Sequence, residues 1–217
     1  TPTVSRMVAA KRQELAYPLR WYSIPNLWRY ERPQRGRLRE HWQLNVDLFG
    51  IAGLEAEYEL IQVADAIMQG FRAKRDLYDI KLNSRKLINA IMYEYLGLDE
   101  VQGSTLAKLI DKMHKMDHAA FVAEADAIFS PSQRESGLSN RLLDMLRTST
   151  LDSLPPELAS HASVRELKEL ISALHDIKIT NVKFDITIMR GFDYYTDVVF
   201  EVFDTNTENN RSMFGVG

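Results

Sequence analysis

Hydrophobic and polar residues alternate over two runs near the start of the chain, roughly residues 20–31 and 38–49. Such alternation is typical of strands, and the segment 32–37 between the runs predicts an antiparallel hairpin with a long basic loop. Because successive strand side chains point to opposite faces, the second run predicts an apolar core face and a polar face. The core face holds Trp42, Leu44, Val46 and Leu48, and the polar face holds His41, Gln43, Asn45 and Asp47.

Apolar spacings of three and four predict helices elsewhere, at about 4–16 and 54–71. Residues 78–82, 182–188 and 193–203 favour strands. Between them lie short helical patterns, with apolar stripes at Leu106, Leu109, Ile110 and Met113 and at Val164, Leu167, Leu170, Ile171 and Leu174. Capping-box spacing at Ser132 with Glu135, and at Ser163 with Glu166, suggests two helix starts.

These elements predict an α+β protein with a mostly antiparallel sheet and a helical insertion. We expect three parts: a first part of the core at 1–83, the insertion at 84–178, and a second part of the core at 179–217. The chain opens at Thr1 and stops at Gly217 in mid-pattern, and we therefore expect a piece of a longer protein.

The composition narrows the class of protein. There is no cysteine, which excludes disulfides and thiolate metal sites. No apolar run approaches the roughly 20 residues of a membrane span, and no secretory signal opens the chain. We expect a cytoplasmic protein with no membrane partner.

Charge is distributed unevenly along the chain. Residues 1–50 carry nine Lys/Arg against four Asp/Glu, whereas the remaining residues carry 18 against 26. Five arginines fall within eleven residues, at Arg29, Arg32, Arg35, Arg37 and Arg39. Such a cluster attracts phosphates, although a solvated charge run is the simpler interpretation of the cluster alone.

A second candidate cluster lies at 190–196, with the sequence Arg-Gly-Phe-Asp-Tyr-Tyr-Thr. The Arg190 guanidinium can bind carboxylate or phosphate oxygens in a bidentate manner. Gly191 permits close approach of a ligand, and Tyr195 offers a hydroxyl group. The alternative is a β-turn followed by an aromatic-rich strand.

Two weaker motifs predict no site. His114 and His118 have the spacing of a helical metal pair, but a third ligand is not evident and we expect no metal site there. The segment 103–105 lacks the Gly-Lys-Ser/Thr ending of a phosphate-binding loop and is interpreted as a helix start.

The residues of both main clusters resemble a known family. The segment 28–40, continuing through 43–50, closely resembles motif 2 of class II aminoacyl-tRNA synthetases in its histidyl form. Residues 190–195, followed by Val199-Phe200-Glu201, resemble the histidine-specific motif of histidyl-tRNA synthetases. Thr1 to Val4 looks like the segment just after an acidic residue near motif 1. The resemblance covers nearly the whole chain and implies a class II synthetase-like sheet flanked by helices.

The resemblance also implies roles for individual residues. Arg29 and Arg190 are the expected catalytic residues, at the α-phosphate and at the histidine carboxylate. The expected ATP-binding residues are Arg29, Glu31, Arg37, Arg39 and His41, the last standing where the family usually has an aromatic residue that stacks on adenine. The expected histidine-binding residues are Thr1 and Gln43 at the α-amino group, and Asp47, Tyr194 and Tyr195 around the imidazole.

The function implied is ATP-dependent activation of histidine to histidyl-adenylate, followed by transfer to the 3′ end of tRNA(His). Implied ligands and partners are histidine, ATP with Mg²⁺, tRNA(His) and, in the full-length protein, a second copy in a homodimer. The main alternative is a non-catalytic, histidine-sensing paralogue that acts as a regulatory subunit in histidine biosynthesis. Such a paralogue is expected to lose the ATP-binding arginines, but this sequence keeps them. A nucleic-acid-binding module that uses the basic hairpin alone is a third alternative.

Several departures from the family pattern affect these roles. The acidic residue before Thr1, the dimer-forming helix of motif 1, motif 3 and the anticodon-binding domain are not in this sequence. Asp197 replaces a small residue that is common in the family.

We predict that the 217-residue chain alone is at best a weak enzyme. Motif 3 supplies a further ATP-binding arginine in the family, and surfaces that pack against absent elements are expected to be exposed. Exchange of pyrophosphate into ATP measures this directly. Activity of the 217-residue chain within about tenfold of the full-length protein, a difference of about 1.4 kcal/mol in activation free energy, would contradict the prediction.

Overall fold

The computed structural model describes residues 2–30, 32–33, 38–189, 194–206, 208–209 and 212–216. The chain divides into two units, Thr1–Ala56 and Glu57–Gly217. The three-part division at 83/84 and 178/179 stays a prediction.

The first unit contains one helix and a hairpin of four short strands. Its elements are α1 (Pro2–Lys11), β1 (Leu19–Ser23), β2 (Asn26–Trp28), β3 (Glu40–Trp42) and β4 (Asn45–Phe49). β1 pairs antiparallel with β4, and β2 with β3. Each predicted long strand is therefore broken once. In the first run the break falls at Pro25, which has no N–H group to donate to a ladder.

The predicted core face of the hairpin is wrong. Trp42 is 72% exposed and Leu44 is 43% exposed. The described part of the first unit has a single helix, in which only Val8 is buried, and it therefore offers little with which to cover an apolar strand face. Tyr22, Trp28 and Trp42 instead remain exposed on the hairpin.

The second unit combines a four-stranded sheet with a series of helices. The sheet order is β6 (Val182–Phe184), β5 (Tyr78–Ser84), β7 (Val198–Asp204) and β8 (Ser212–Val216), with only the β5–β6 pair parallel. The α-helices are α2 (Glu55–Gly70), α3 (Arg85–Asn89), α4 (Glu100–Ile110), α5 (His118–Ile128), α6 (Pro131–Glu135), α7 (Leu138–Leu146), α8 (Pro156–Ala159) and α9 (Ala162–Asp176). A π-helical segment, Ala90–Tyr95, continues α3. The α+β class and the mostly antiparallel pairing are confirmed.

One face of β5 forms the centre of the core. Tyr78, Ile80 and Leu82 alternate along the strand and are fully buried. Most of the predicted helical stripes are also buried, at Leu106, Leu109 and Ile110 on α4 and at Val164, Leu167, Leu170 and Leu174 on α9. Met113 and Ile171 are only partly buried. Helical and strand periodicity together therefore identify most of this core.

The predicted helix starts are displaced by two to four residues. α6 is capped by Ser130, which forms a capping box with Gln133, rather than by Ser132. His161 caps α9 by accepting a hydrogen bond from the Ser163 backbone. α4 begins at Glu100 behind an Asp99–Gln102 capping box, and residues 103–105 therefore lie inside this helix. Several residues in each region satisfy the capping pattern, and tertiary packing decides which of them is used.

No helix within the described residues combines the length and the apolar character that a membrane crossing needs.

A buried polar cluster connects α2 to β5. Asp65 is 3% exposed. Its carboxylate accepts two hydrogen bonds from the Arg75 guanidinium, at 3.0 and 2.6 Å. It also accepts a hydrogen bond of 2.5 Å from the Tyr78 hydroxyl, to which Gln69 donates in turn at 2.9 Å. Burial by itself raises the pKa of Asp65, but the hydrogen bonds from Arg75 and Tyr78 and the Arg75 charge lower it below its usual value.

We predict that Asp65→Asn lowers the free energy of unfolding by about 1–3 kcal/mol, because it removes a charged acceptor of three hydrogen bonds. A lowered folded-state pKa stabilises the native state above the ordinary aspartate pKa of about 3.9. This contribution is lost as the pH falls through the folded-state pKa of Asp65. Urea unfolding at pH 7 and at pH 3 measures both effects.

The matched control is Asp152→Asn, because Asp152 pairs with Lys168 at 2.6 Å while its side chain is 86% exposed. Its effect at pH 7 is expected to stay within about 0.5 kcal/mol. Equal losses for the two variants would show that burial of the Asp65 cluster adds nothing to stability.

Candidate functional site

The hairpin of the first unit places most of the predicted site side chains that the structure describes there on one face. Asp47 lies opposite Trp21 in the β1–β4 ladder, and His41 lies opposite Leu27 in the β2–β3 ladder. Residues directly opposite in antiparallel strands share a face. The predicted alternation is thus present on β3 and β4, with His41 and Asp47 on the opposite side from Trp42 and Val46.

A chain of hydrogen bonds joins three residues of the polar face. The Arg29 guanidinium Nη2 donates to Gln43 Oε1 at 2.8 Å, and Gln43 Nε2 donates to Asn45 Oδ1 at 2.5 Å. Both groups of the Gln43 amide are therefore engaged. Because an amide oxygen has two lone pairs, Oε1 can still accept one hydrogen bond from a ligand. The prediction placed Gln43 in the site but did not assign Asn45 a role, since only the structure shows that Asn45 orients Gln43.

The remaining described residues of the hairpin site differ in their surroundings. Asp47 is half-buried, whereas Arg39 is exposed. The Arg39 guanidinium carbon lies 5.4 Å from the centroid of the Tyr30 ring. His41 is half-buried, and its Nδ1 atom is buried without a hydrogen-bond partner. A buried ring nitrogen without a partner is costly, and a bound ligand or water can satisfy it.

Four predicted site residues lie outside the described residues. They are Thr1, Glu31, Arg37 and Arg190. Their roles stay as the resemblance implies them.

The two predicted tyrosines belong to the second unit. Their ring centroids are 4.5 Å apart, with 55° between the ring planes. Tyr194 is 72% exposed, while Tyr195 is partly buried. The segment that follows them is fixed to the sheet, because Arg85 N donates to Asp197 O at 2.8 Å and Val198 pairs with Ser84.

A separate groove of about 840 Å³ in the second unit lies along α9, β5 and β6, and none of the predicted site residues lines it. Its three lysines are each paired with an aspartate: Lys81 with Asp185 at 2.9 Å, Lys168 with Asp152 at 2.6 Å, and Lys183 with Asp79 at 2.8 Å. Because these cations are compensated, the groove has no positive excess that favours phosphate.

The two histidines considered as a metal pair do not share a helix. His114 lies in the 3₁₀ segment Met113–Lys115, and His118 begins α5. His114 Nε2 lies 3.3 Å from the Thr187 hydroxyl. In the described ranges no group of three or more His, Asp or Glu side chains is arranged to hold a metal ion.

Comparison with known proteins identifies the family. The family model described as histidyl-tRNA synthetase matches residues 1–211. The chain is 38% identical over 220 residues to a histidine--tRNA ligase from Leptospira biflexa serovar Patoc, covering all of this chain and 49% of the relative. The chain spans about half the length of the curated relatives it matches.

Solved structures agree on the fold. The crystal structure of histidyl-tRNA synthetase from Nostoc sp. PCC 7120 superimposes with a TM-score of 0.74 at 20% identity, over 92% of this chain and 47% of that chain. A protein from Bacillus halodurans C described as an ATP phosphoribosyltransferase regulatory subunit/histidyl-tRNA synthetase gives 0.78 at 22% identity, over 99% and 55%. These likenesses confirm a class II synthetase-like fold and carry no more than the fold. With the family model matching nearly its whole length, the chain belongs to the histidyl-tRNA synthetase family.

Proposed function

We propose that this chain is part of a histidine--tRNA ligase, which activates histidine with ATP and transfers it to the 3′ end of tRNA(His). The observation that carries the proposal is the Arg29–Gln43–Asn45 hydrogen-bond chain beside Asp47 on one face of the hairpin. It combines a phosphate-binding cation, an oriented amide acceptor and a carboxylate in one place. Curated relatives named histidine--tRNA ligase support the same conclusion.

Arg29 is proposed to act on the nucleotide. In the first step the histidine carboxylate attacks the α-phosphorus of ATP, pyrophosphate leaves, and a mixed anhydride forms. Negative charge gathers on the α-phosphate oxygens in the transition state, where a preorganised cation stabilises it. The Gln43 oxygen, 2.8 Å from Arg29 Nη2, holds the guanidinium ready before the ligand arrives. Arg190 is assigned the same region by the resemblance alone.

The other nucleotide contacts follow the same logic. Arg39, with Arg37, is proposed to meet the outer phosphates or the acceptor end of tRNA, and Glu31 to place the adenine. His41 is proposed to stack on the adenine, and its buried Nδ1 is free to bond a ligand. Mg²⁺ is proposed to enter with the ATP phosphates, since Mg²⁺ commonly binds through substrate phosphates and waters rather than through an all-protein cage.

The histidine side is proposed to use the residues that the resemblance assigns to the amino acid. Gln43 Oε1 keeps one lone pair for the α-ammonium group, and the resemblance assigns Thr1 to the same group. Asp47 and Tyr195 are proposed to bind the two imidazole nitrogens, with Tyr194 beside them. A carboxylate on one nitrogen fixes which tautomer the other nitrogen presents.

The regulatory alternative predicts histidine binding without adenylate formation. The likeness to the Bacillus halodurans protein means that the fold is compatible with this alternative. However, the ATP-binding Arg29, which the alternative is expected to lose, is present in this chain and is oriented by Gln43. An RNA-binding module without ATP dependence is less favoured, because residues 51–217 carry 18 Lys/Arg against 26 Asp/Glu. This acidic balance does not favour an extended nucleic-acid surface. Binding of tRNA(His) and formation of a homodimer belong to the proposal for the full-length protein.

Histidine-dependent exchange of pyrophosphate into ATP, measured on the full-length protein, tests the proposal. The ligase predicts exchange that requires both histidine and ATP. Histidine binding without any exchange favours the regulatory subunit, and salt-sensitive RNA binding that needs neither ligand favours the nucleic-acid module.

We predict that Arg29→Ala in the full-length protein lowers the exchange rate by about 10²–10³, the usual effect of removing one preorganised charge contact at the reacting centre. The matched control is Arg20→Ala, because Arg20 lies opposite Leu48 on the other face of the hairpin. Arg20→Ala is expected to keep the exchange rate, and wild-type kinetics in Arg29→Ala would refute the assignment of Arg29.

We predict that Asp47→Asn strongly raises the KM for histidine while the KM for ATP stays nearly unchanged. Sites built around such hydrogen bonds can discriminate by about 10⁴–10⁵ against ligands that lack the bonds, because buried polar groups then lose their partners. Tyr195→Phe is expected to act in the same direction but more mildly, since it removes only a neutral hydroxyl. Steady-state exchange kinetics with each substrate varied measures both constants.

Two variants on the other face of the hairpin serve as controls for this prediction. Glu40→Gln removes a carboxylate charge opposite Trp28, and Tyr22→Phe removes a hydroxyl opposite Val46. Both are expected to leave the two Michaelis constants unchanged. If Asp47→Asn raises the KM for ATP and leaves the KM for histidine unchanged, Asp47 belongs to the nucleotide side of the site.

A further inference from the structure

Lys86 connects three elements of the second unit. It is the second residue of α3, directly after β5. Its Nζ atom lies 2.6 Å from Asp197 Oδ2, in the segment that precedes β7, and 3.2 Å from Glu166 Oε2 on α9. The single ammonium group therefore joins the start of α3, the helix α9 and the segment after the two tyrosines.

Asp197 is held twice by the start of α3. Its side chain accepts from Lys86, and its backbone oxygen accepts a hydrogen bond of 2.8 Å from Arg85 N. The next residue, Val198, forms the last pair of the β5–β7 ladder with Ser84. Consecutive residues 84–86 thus fix residues 197–198 through a ladder pair, a backbone bond and an ion pair.

The fixed residue lies close to the tyrosines along the chain. Only Thr196 separates Asp197 from Tyr195, and the Tyr194 and Tyr195 rings contact each other. Because two residues of backbone span at most about 7 Å, the position of Asp197 restricts where the Tyr195 hydroxyl can reach. Residues 194–196 belong to no strand or helix, and the regular ladder that limits their movement begins only at Val198.

We propose that Lys86 is a positioning residue for histidine binding: by holding Asp197 between α3 and Glu166 of α9, it keeps Tyr194 and Tyr195 in the binding-competent arrangement. The inference rests on the proposed function, because that function assigns the tyrosines to the imidazole.

The charges in this cluster support the ion pair. The hydrogen bond to Asp197 raises the pKa of Lys86; partial burial lowers it, and Glu166 raises it again, with a net increase. Lys86 therefore stays protonated throughout the neutral range. Its side chain is 45% exposed, and pairs with this degree of exposure contribute little to global stability. A positioning role can therefore be distinguished from a structural role by experiment. Loss of a positioning residue changes the affinity for histidine more than the free energy of unfolding.

The experiment compares Lys86→Met, Asp197→Asn and the double variant in the full-length protein. If the competent arrangement falls to about a tenth of the population, the KM for histidine rises about tenfold. The KM for ATP and kcat are expected to change less than about twofold, because only binding of histidine depends on the arrangement. The double variant is expected to match the stronger single variant, since both remove the same bond. Lys86→Arg keeps the charge and is expected to restore most of the affinity.

Lys168→Met is the matched control. Lys168 lies on α9, is 44% exposed and pairs with Asp152 at 2.6 Å. The variant therefore removes an ion pair of a similarly exposed lysine that does not involve the tyrosine segment; the carboxylate partner Asp152 is more exposed than Asp197, at 86% against 35%. Its histidine KM is expected to equal that of the wild type.

A second measurement does not depend on activity. Amide hydrogen exchange in residues 194–198 is expected to quicken in Lys86→Met, while exchange in β5 and in the Lys168→Met control stays unchanged. Unchanged exchange of this segment together with an unchanged histidine KM overturns the inference. Additive effects in the double variant also overturn it. If the wild type shows no histidine-dependent activity, the proposed function fails, and the amide exchange alone then decides whether Lys86 holds the segment.

Discussion

Two backbone hydrogen bonds continue the strand pairing of the hairpin beyond its two ladders, and the candidate site depends on them. Gln43 N donates to Pro25 O at 3.2 Å, and Arg29 N donates to Arg39 O at 2.7 Å. The first bridges the gap between the β1–β4 and β2–β3 ladders, and the second extends the latter toward the basic loop. Since a shift of one residue sends every side chain to the opposite face, this register decides whether Arg29 meets Gln43.

Within that register the site is preorganised by its own polar groups. Gln43 accepts from Arg29 and donates to Asn45, so that neither the guanidinium nor the amide is free to turn without losing a hydrogen bond. A ligand that binds there meets donors and acceptors already in place, and little ordering remains to oppose binding. The opposite face carries Trp28 and Trp42, which are exposed in the described part of the first unit.

Sequence patterns predict the structure correctly where a single helix or strand determines which side chains share a face. Alternation correctly placed His41, Gln43 and Asp47 on one face, and helical periodicity found most of the core of α4 and α9. The predictions are wrong where burial or capping depends on residues distant in the sequence. Trp42 and Leu44 have the pattern of a core strand, yet burial requires a partner surface that the described part of the first unit does not provide. Helix starts were displaced because several Ser and Asp residues can cap, and packing selects among them. The partners of Asn45 and Lys86 come from side-chain geometry that no local pattern encodes.

In the second unit, one strand connects the start of a helix to the segment that contains the two tyrosines. The parallel β5–β6 pair and the antiparallel β5–β7 pair place residues more than a hundred positions apart in contact, such as Asn83 with the carbonyl oxygens of Ile186 and Ile188. β5 is thus the strand on which both the segment before the tyrosines and the start of α3 are built. Because α3 follows β5 without a loop, Lys86 lies directly after the strand, where it bonds both Glu166 of α9 and Asp197. In the proposed role of Lys86, one ammonium group at the end of a buried strand connects α9 to the segment that follows the tyrosines.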